Sequence, residues 1–292
     1  MDTFFCSGHT ACAGCPMPIA LRPILNAAGK NTIISNATSC SEIVSSQYPN
    51  SAWTVPYVHV AFECAAAVAS GIEAACKKLD RNANIIVIAG DGGTADIGLQ
   101  ALSGMVERGH NVLYICYDNE CYANTGVQRS SATPYGAWTT TSPAGKKSIG
   151  NTTFKKPVAE MMAVQGASYV ATSSVAYPKD IYNKVKKALT INGPKFIHIH
   201  APCPLAWKFD SSQTIKLAKL AVETGMWVIY EIENRKLTIN IRSGGKNIEE
   251  YLKAQGRFNH LTDEEINVIQ KKVNDEWKRF EEWESRNNNE HE

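Results

Sequence analysis

The 292-residue sequence lacks a long apolar run. Its apolar stretches, such as IIVIAG from Ile85, fall well short of the roughly 20 residues a membrane span requires. MDTFFCSGHT carries neither the basic n-region nor the apolar h-region of a secretory signal, so a cytoplasmic chain is expected. Neither sign of charge prevails. With 30 Lys and Arg against 28 Asp and Glu the net charge is +2, leaving no basic surplus for nucleic acid or an anionic membrane. Proline is sparse at 12 residues, and no repeat or low-complexity linker breaks the chain. At 44% hydrophobic, it can bury one large core, which excludes a disordered protein.

Cysteine is the residue in excess. The nine are Cys6, Cys12, Cys15, Cys40, Cys64, Cys76, Cys116, Cys121 and Cys203, an odd number that does not describe a disulfide framework. In a reducing compartment most would be buried thiols acting as small hydrophobes. CAGC separates Cys12 and Cys15 by two residues, which lets both thiolates reach one metal centre. Zinc knuckles and redox pairs share that spacing, but no second C-x-x-C and no His pair at zinc-finger spacing accompanies it. Further ligands must come from far along the chain. Cys40 in NATSC and Cys203 in APCP are the candidates, the latter flanked by stiffening prolines, with Cys6 as a spare. Cys64 and Cys76, on an Ala-rich helix, and Cys116, in a buried strand, are expected to be structural.

Short β-rich runs alternate with helical stretches. IIVIAG (85 to 90) and NVLYICYD (111 to 118) read as buried strands, with TADIGLQALSGMVERG between them as a helix ending at Gly109. KFIHIHAP (195 to 202) and MWVIYEI (226 to 232) read as further strands. YPKDIYNKVKKAL, DSSQTIKLAKLAVETG and the small-residue segment 62 to 79 read as helices. An α/β chain follows, with a mostly parallel sheet covered by helices on both faces and ligands gathered at the carboxyl ends of its strands. Residues 246 to 292 hold 20 of the 58 charged side chains. There Thr262 and Glu265 form a capping-box signature ahead of Ile266, Ile269, Val273, Trp277 and Phe280, predicting an amphipathic helix over about 262–286 that packs on the body or on a partner.

At the end of the first clear strand stands GDGGTADIG, Gly90 to Gly98. Its glycines let backbone approach a phosphate, the following helix start offers N–H groups, and Asp91 can hold a hard cation. Alone, such a turn is as readily a tight turn. The next strand ends in YDNECYANTG, with 26 residues between Gly92 and Asn119, so two neighbouring strands deliver an Asp and an Asn to one end of the sheet.

This pair resembles the thiamine-diphosphate motif. GHTACAGC, NATSCSEIV, YPNSAWTVPYVHVAFECAAAVASGIEAA, HAPCPLAW and YLKAQGRFNHL extend the resemblance over about residues 5 to 260, to β subunits of the 2-oxoacid:ferredoxin oxidoreductase family, of the pyruvate:ferredoxin oxidoreductase (pyruvate synthase) type. The resemblance implies a thiamine-diphosphate-binding fold of the diphosphate-binding kind, as one domain over 1–292 with an iron–sulfur loop region at about 6–45. It implies Mg2+ on Asp91, Asn119 and the carbonyl of Cys121. Phe62, Gly90, Gly92, Gly93, Asn119, Glu120, Cys121, Tyr122 and Asn124 would line thiamine diphosphate, with Asn124 near the 2-oxoacid as the catalytic candidate. Cys12, Cys15, Cys40 and Cys203 would carry one [4Fe–4S] cluster, with Cys40 near the cofactor.

The implied reaction converts pyruvate, coenzyme A and oxidised ferredoxin reversibly to acetyl-CoA, carbon dioxide and reduced ferredoxin. Nothing in the chain duplicates a pyrimidine-binding domain, and Glu63 reads as a helix-start residue. An α-like subunit is therefore expected to supply the activating Glu and the substrate-carboxylate contacts, with ferredoxin-like δ and γ subunits passing electrons on. The chain departs from the family where Pro16 and Met17 follow the C-x-x-C, since single-chain relatives carry a cofactor-contacting Glu at the Met17 position. Another 2-oxoacid or oxalate as substrate, a non-redox thiamine decarboxylase subunit, and a zinc-binding interaction module remain the alternatives.

Overall fold

The computed structural model describes residues 4–289. Pro16 opens α1 (Pro16–Ala28), at a position where a missing N–H costs no helical bond. Then come β1 (Thr32–Ala37), the single-turn α2 (Cys40–Ile43), β2 (Tyr57–Val60), α3 (Ala65–Lys78) and β3 (Asn84–Gly90). β3 runs directly into α4 (Asp91–Ala95), followed by α5 (Leu99–Glu107) and β4 (Val112–Asp118). A small hairpin, β5 (Ala144–Gly145) and β6 (Ser148–Ile149), leads to α6 (Val158–Val164), β7 (Tyr169–Ser174), α7 (Pro178–Ala188) and β8 (Lys195–His200). The chain continues through α8 (Pro204–Trp207), α9 (Thr214–Glu223), β9 (Ile229–Glu233), β10 (Lys236–Ile241) and α10 (Ile248–Lys253) to α11 (Asp263–Asn289).

Eight strands form one sheet in the order β10-β9-β7-β8-β4-β3-β1-β2. The six from β7 to β2 are parallel, and β9 and β10 close the other edge antiparallel. Because side chains alternate across a strand, β4 sends Leu113, Ile115 and Tyr117 to one core, shared with α1 and α7. Val112, Tyr114 and Cys116 go to the opposite core, shared with α3, α5 and α6. Burial on both faces is what a central parallel strand requires, and it accounts for the unbroken apolar runs of β3 and β4. A third core, around Trp207, lies beneath α9, α10 and α11.

The structure departs from the expected elements in instructive places. The helix expected from Thr94 to Gly109 is two helices, broken at Asp96 to Gly98. Asp96 is drawn out of helical geometry to accept bonds from Tyr122 Oη (2.8 Å) and from the Ser131 N–H and hydroxyl. Gly98 is required at the break, since a Cβ there would lie 2.0 Å from the Gly93 carbonyl oxygen. The strand expected at 226–232 is confined to Ile229–Glu233, because Trp227 N–H bonds to the Ala221 carbonyl and ties residue 227 to the end of α9. Cys64 precedes α3 as its cap rather than lying within it. The region 6–45 is loop only as far as Cys15, beyond which α1, β1 and α2 fill it.

The C-terminal helix has the expected capping box, with Thr262 N–H donating to Glu265 Oε2 (2.8 Å) and Glu265 N–H to Thr262 Oγ1 (3.3 Å). Its apolar stripe packs on the body. Ile266, Ile269, Val273 and Phe280 are buried, and Trp277 Nε1 donates to the Gly225 carbonyl (2.9 Å). Phe280 is 5% exposed and packs its ring against Tyr230 at 5.0 Å between centroids. Phe280→Ala is expected to destabilise the chain by about 3 kcal/mol, read as a lower urea midpoint. An unchanged midpoint would show that α11 does not contribute to the core.

Candidate active site

The site forms where β3 and β4 end side by side, with Gly90 paired to Tyr117 in register. The backbone passes from β3 into α4 at Gly90, placing Asp91 in the first helical turn with 2% exposure. Ser130 Oγ donates to Asp91 Oδ2 (2.5 Å), while Thr94 Oγ1 donates back to the Gly90 carbonyl (2.7 Å) and fixes the turn. Gly92 has no alternative. A Cβ there would lie 2.2 Å from the Tyr122 ring, whose hydroxyl is tied to Asp96.

Beyond β4 the chain turns through Asn119, Glu120 and Cys121, with Glu120 in the left-handed region at φ 63°. This turn brings the Asn119 side chain and the Cys121 carbonyl up to Asp91. With its amide in one orientation, Asn119 Oδ1 faces Asp91 Oδ1 and the Cys121 oxygen, so that three oxygens converge. Rotated, the amide nitrogen lies 3.2 Å from Asp91 Oδ1 and 2.7 Å from the Cys121 oxygen. A gap bounded by three acceptors suits a hard cation, and the rotated amide fills the same gap with N–H groups. These are the three residues expected to hold Mg2+. Among the described residues no group of three or more His, Cys, Asp or Glu side chains is disposed to hold a metal ion. Here the donor set is instead one carboxylate, one amide and one backbone carbonyl.

A cleft of about 180 Å³ opens over this turn. Gly90, Asp91, Gly92, Gly93 and Asn119 form its floor, and Phe62, Cys121, Tyr122, Asn124 and Cys40 its walls. A Cβ on Gly93 would come 3.3 Å from the Phe62 ring, so the glycine turn and the aromatic wall are in contact. Thr38, Ser39, Ile43, Tyr117, Ala123 and Thr125 complete the lining; no sequence signal singled these out. Asp91 is the one carboxylate among these described residues, and no Lys or Arg joins it. Glu120, expected to line the cofactor, turns away and is 2% exposed. Its carboxylate meets Lys155 Nζ at 2.7 Å and Arg257 Nη2 at 2.5 Å. Glu63 does not reach the cleft lining either.

Charge beneath the turn decides what Asp91 can do. Asp118 is fully buried, and burial alone would favour its neutral form. Lys155 Nζ and His198 Nε2, both 2.9 Å from Oδ2, reverse this and hold it well below the usual carboxylate range. Glu120 behaves alike: burial is outweighed by Lys155 and Arg257, and its carboxyl is held down. Burial also opposes the charge on Lys155, and Asp118 and Glu120 overcome it, keeping the ammonium above the ordinary lysine range. Asp91 makes no ion pair among the described residues, and the charge of Lys155 offsets its burial only in part. Burial first, and then the charge of Asp118, raise its carboxyl well above the normal value. A divalent cation at this carboxylate would reverse that rise.

The expected cluster thiols lie on three stretches of chain, Cys12 and Cys15 sharing one. Cys15 caps α1, Cys40 starts α2 and Cys203 caps α8, while Cys12 is exposed in the loop ahead of them. Burial pushes the thiols of Cys15 and Cys40 up to about 12, and charge on Cys203 and Cys12 adds to both. Cys203 is raised by burial and again by Cys12. Each of these thiols thus stands within range of another's charge, and neutral thiols at such a spot become thiolates only against positive charge. Gly14, at φ 69°, lets the Cys12–Cys15 turn close on Ser211, where a Cβ would meet the Ser211 oxygen at 2.2 Å. Met17 is 1% exposed in the core under α1 and does not line the cleft, which accounts for an apolar residue there. Cys116 is buried in β4, and the Cys6 N–H bonds to the Ala52 carbonyl (2.8 Å).

A glycine turn and an Asn turn at the carboxyl ends of two adjacent parallel strands define a diphosphate-binding α/β domain. Residues 37–199 match the thiamine pyrophosphate enzymes, C-terminal TPP binding domain. Pyruvate synthase subunit PorB of Methanothermobacter marburgensis is 53% identical over 274 residues, 93% of this chain and 95% of that one. The PorB subunit of Methanocaldococcus jannaschii is 52% identical over 95% of this chain and 96% of that one. Ketoisovalerate oxidoreductase subunit VorB of Pyrococcus abyssi is 50% identical over 96% and 92%. A solved 2-oxoglutarate:ferredoxin oxidoreductase from Magnetococcus marinus shares the fold, with a TM-score of 0.61 and 21% identity over 74% of this chain and 79% of that one. The chain belongs to the family of 2-oxoacid:ferredoxin oxidoreductase β subunits that includes PorB and VorB. No helix among the described residues is long and apolar enough to cross a membrane.

Two outcomes follow from this geometry. Gly92→Ala is expected to weaken thiamine diphosphate binding about tenfold or more by driving the Tyr122 ring into the cleft, measured by calorimetric titration. Lys155→Met is expected to destabilise the fold by about 3–5 kcal/mol at pH 7, because two buried carboxylates lose a counter-charge. Asp118 and Glu120, held down in the folded chain, contribute stability above the unfolded carboxylate range, and lose it as pH falls. The penalty of Lys155→Met should therefore shrink in unfolding curves taken toward pH 4, and a penalty independent of pH would count against the ion network.

Proposed function

We propose that the chain is the β subunit of a pyruvate synthase, holding the diphosphate end of thiamine diphosphate through Mg2+ and carrying one [4Fe–4S] cluster beside it. One observation carries this reading. Cys40 lines the same cleft as Gly90–Gly93, Asn119 and Asn124. An electron acceptor on Cys40 and a cofactor on the glycine turn would thus share one cleft.

When bound, thiamine diphosphate supplies a nucleophilic carbon and an electron sink for the 2-oxoacid, and the cluster accepts electrons singly. The residues of this chain bind and orient. Asp91, Asn119 and the Cys121 carbonyl would hold Mg2+, with diphosphate oxygens and water completing its octahedron. Gly92 and Gly93 admit the diphosphate to the backbone, and Phe62 and Tyr122 wall the cleft and exclude water. Asn124 lines the cleft together with Cys40, where its amide can orient a 2-oxoacid. Cys12, Cys15, Cys40 and Cys203 would ligate the cluster.

The cleft lining offers no second carboxylate to activate the cofactor and no cation for a substrate carboxylate. An α-like partner subunit would supply the activating Glu and the substrate contacts, with ferredoxin-like γ and δ subunits, ferredoxin and coenzyme A serving the reaction in the cytoplasm. Pyruvate is the preferred substrate on the names of the PorB relatives, and the VorB relative makes a branched 2-oxoacid the second reading.

Anaerobic isolation is expected to give a brown protein with about four iron and four sulfide per chain. The reconstituted complex should reduce a viologen dye with pyruvate and coenzyme A faster than with 2-oxoisovalerate, 2-oxoglutarate or oxalate. The chain alone should not decarboxylate pyruvate. A colourless, sulfide-free preparation would remove the redox assignment, and turnover by the isolated chain would remove the division of labour.

A further inference from the structure

Cys203 aside, HAPCPLAW and YLKAQGRFNHL have no role so far, and they meet directly behind the Asn119–Cys121 turn. α8 starts at the Cys203 cap, and the Trp207 N–H donates to the Cys203 carbonyl (2.9 Å), so Trp207 stands one helical turn from that thiol. Trp207 is fully buried, and its indole Nε1 donates to the Asn119 carbonyl at 2.7 Å. Arg257, 2% exposed, lays its guanidinium over the Trp207 ring at 3.6 Å and donates from Nη2 to Glu120 Oε2 at 2.5 Å. Its Nε donates to Gln255 Oε1 at 2.8 Å, which fixes the plane of the stack.

The two segments are joined through backbone. Gly256 N–H donates to the Lys208 carbonyl (3.0 Å), and a Cβ on Gly256 would lie 2.8 Å from Lys208 Cβ. Glycine before Arg257 is therefore what lets this turn close on the end of α8. The groups gripped are the Asn119 carbonyl and the Glu120 carboxylate, within a turn whose middle residue is left-handed. Such a turn keeps its shape only where its surroundings over-determine it. Metal ligation is sensitive to these outer contacts, because they aim the ligand atoms.

We propose that Trp207 and Arg257 are positioning residues that bind the Asn119–Cys121 turn and the Cys203 loop into one rigid unit, fixing the cofactor metal relative to the cluster. This rests on the reading of Asn119 and Cys121 as metal ligands and Cys203 as a cluster ligand. Trp207→Phe removes the N–H and keeps a ring; Arg257→Lys keeps the charge and loses the planar stack.

The test uses the anaerobically reconstituted complex with Mn2+ as the spin-active substitute for Mg2+, titrated in the presence of thiamine diphosphate. The spectrum of the dithionite-reduced cluster is recorded alongside. Val170→Ala, a cavity in fully buried β7, serves as the control for general destabilisation. Both positioning variants are expected to weaken Mn2+ binding about 10- to 100-fold and to shift the g-values of the cluster signal. Val170→Ala should lower the melting temperature and leave both readouts unchanged. Wild-type Mn2+ affinity and an unaltered cluster signal in a folded variant would overturn the proposal, as would equal losses in Val170→Ala. Should one positioning variant fail to fold, the other decides. A wild-type complex without bound Mn2+ or a cluster signal would overturn the underlying functional reading as well.

Discussion

Burial of two like charges at the end of β3 and β4 is the constraint on which the site depends. Asp91 and Asp118 stand on neighbouring strands, both out of water, and each disfavours ionisation of the other. The fold resolves the conflict asymmetrically. Asp118 is given Lys155 and His198, whereas Asp91 is given only a hydroxyl partner, an amide and a carbonyl. One carboxylate is thereby spent on structure, and the other is left short of positive charge. Electrostatic need and donor geometry thus coincide at Asp91, as the proposed cation site requires.

The same economy runs through the thiols. Cys15, Cys40 and Cys203, at helix caps and starts, have their thiols pushed up by burial and by neighbouring thiol charge. Uncompensated negative charge is thus latent both at Asp91 and at these thiols, and Cys40 and Asp91 line the same cleft. Helix starts gather here because six parallel strands all deliver their carboxyl ends to one edge, and α2, α4 and α8 begin from it. Packing behind the edge, through Trp207 and Arg257, joins the start of α8 to the turn after β4.

Much of this was legible in the sequence, for a physical reason in each case. β3 and β4 announced themselves because strands buried on both faces have no polar alternation to disguise them. The Asp91–Asn119 pairing followed because a crossover between adjacent parallel strands has a narrow range of lengths. The α11 stripe was visible through its capping box. The remaining strands were harder to see: β1, β2 and β7 contain Ser, Asn, His and Thr within their runs, and β10 alternates as an edge strand. The helix break at Asp96 was hidden because its cause, Ser131, lies 35 residues away.

Local chemistry, then, was determined by sequence: which residues can turn tightly, which can hold a cation, and which thiols sit in loops. Only tertiary structure decided their charge states and aim. Lys155 reaches Glu120 across 35 residues and Arg257 reaches it across 137, and no local pattern encodes partners at such separations. Glu120 shows the difference most plainly. Its place between Asn119 and Cys121 suggested a cofactor contact, but one left-handed backbone angle turns it inward to anchor the turn that its neighbours use.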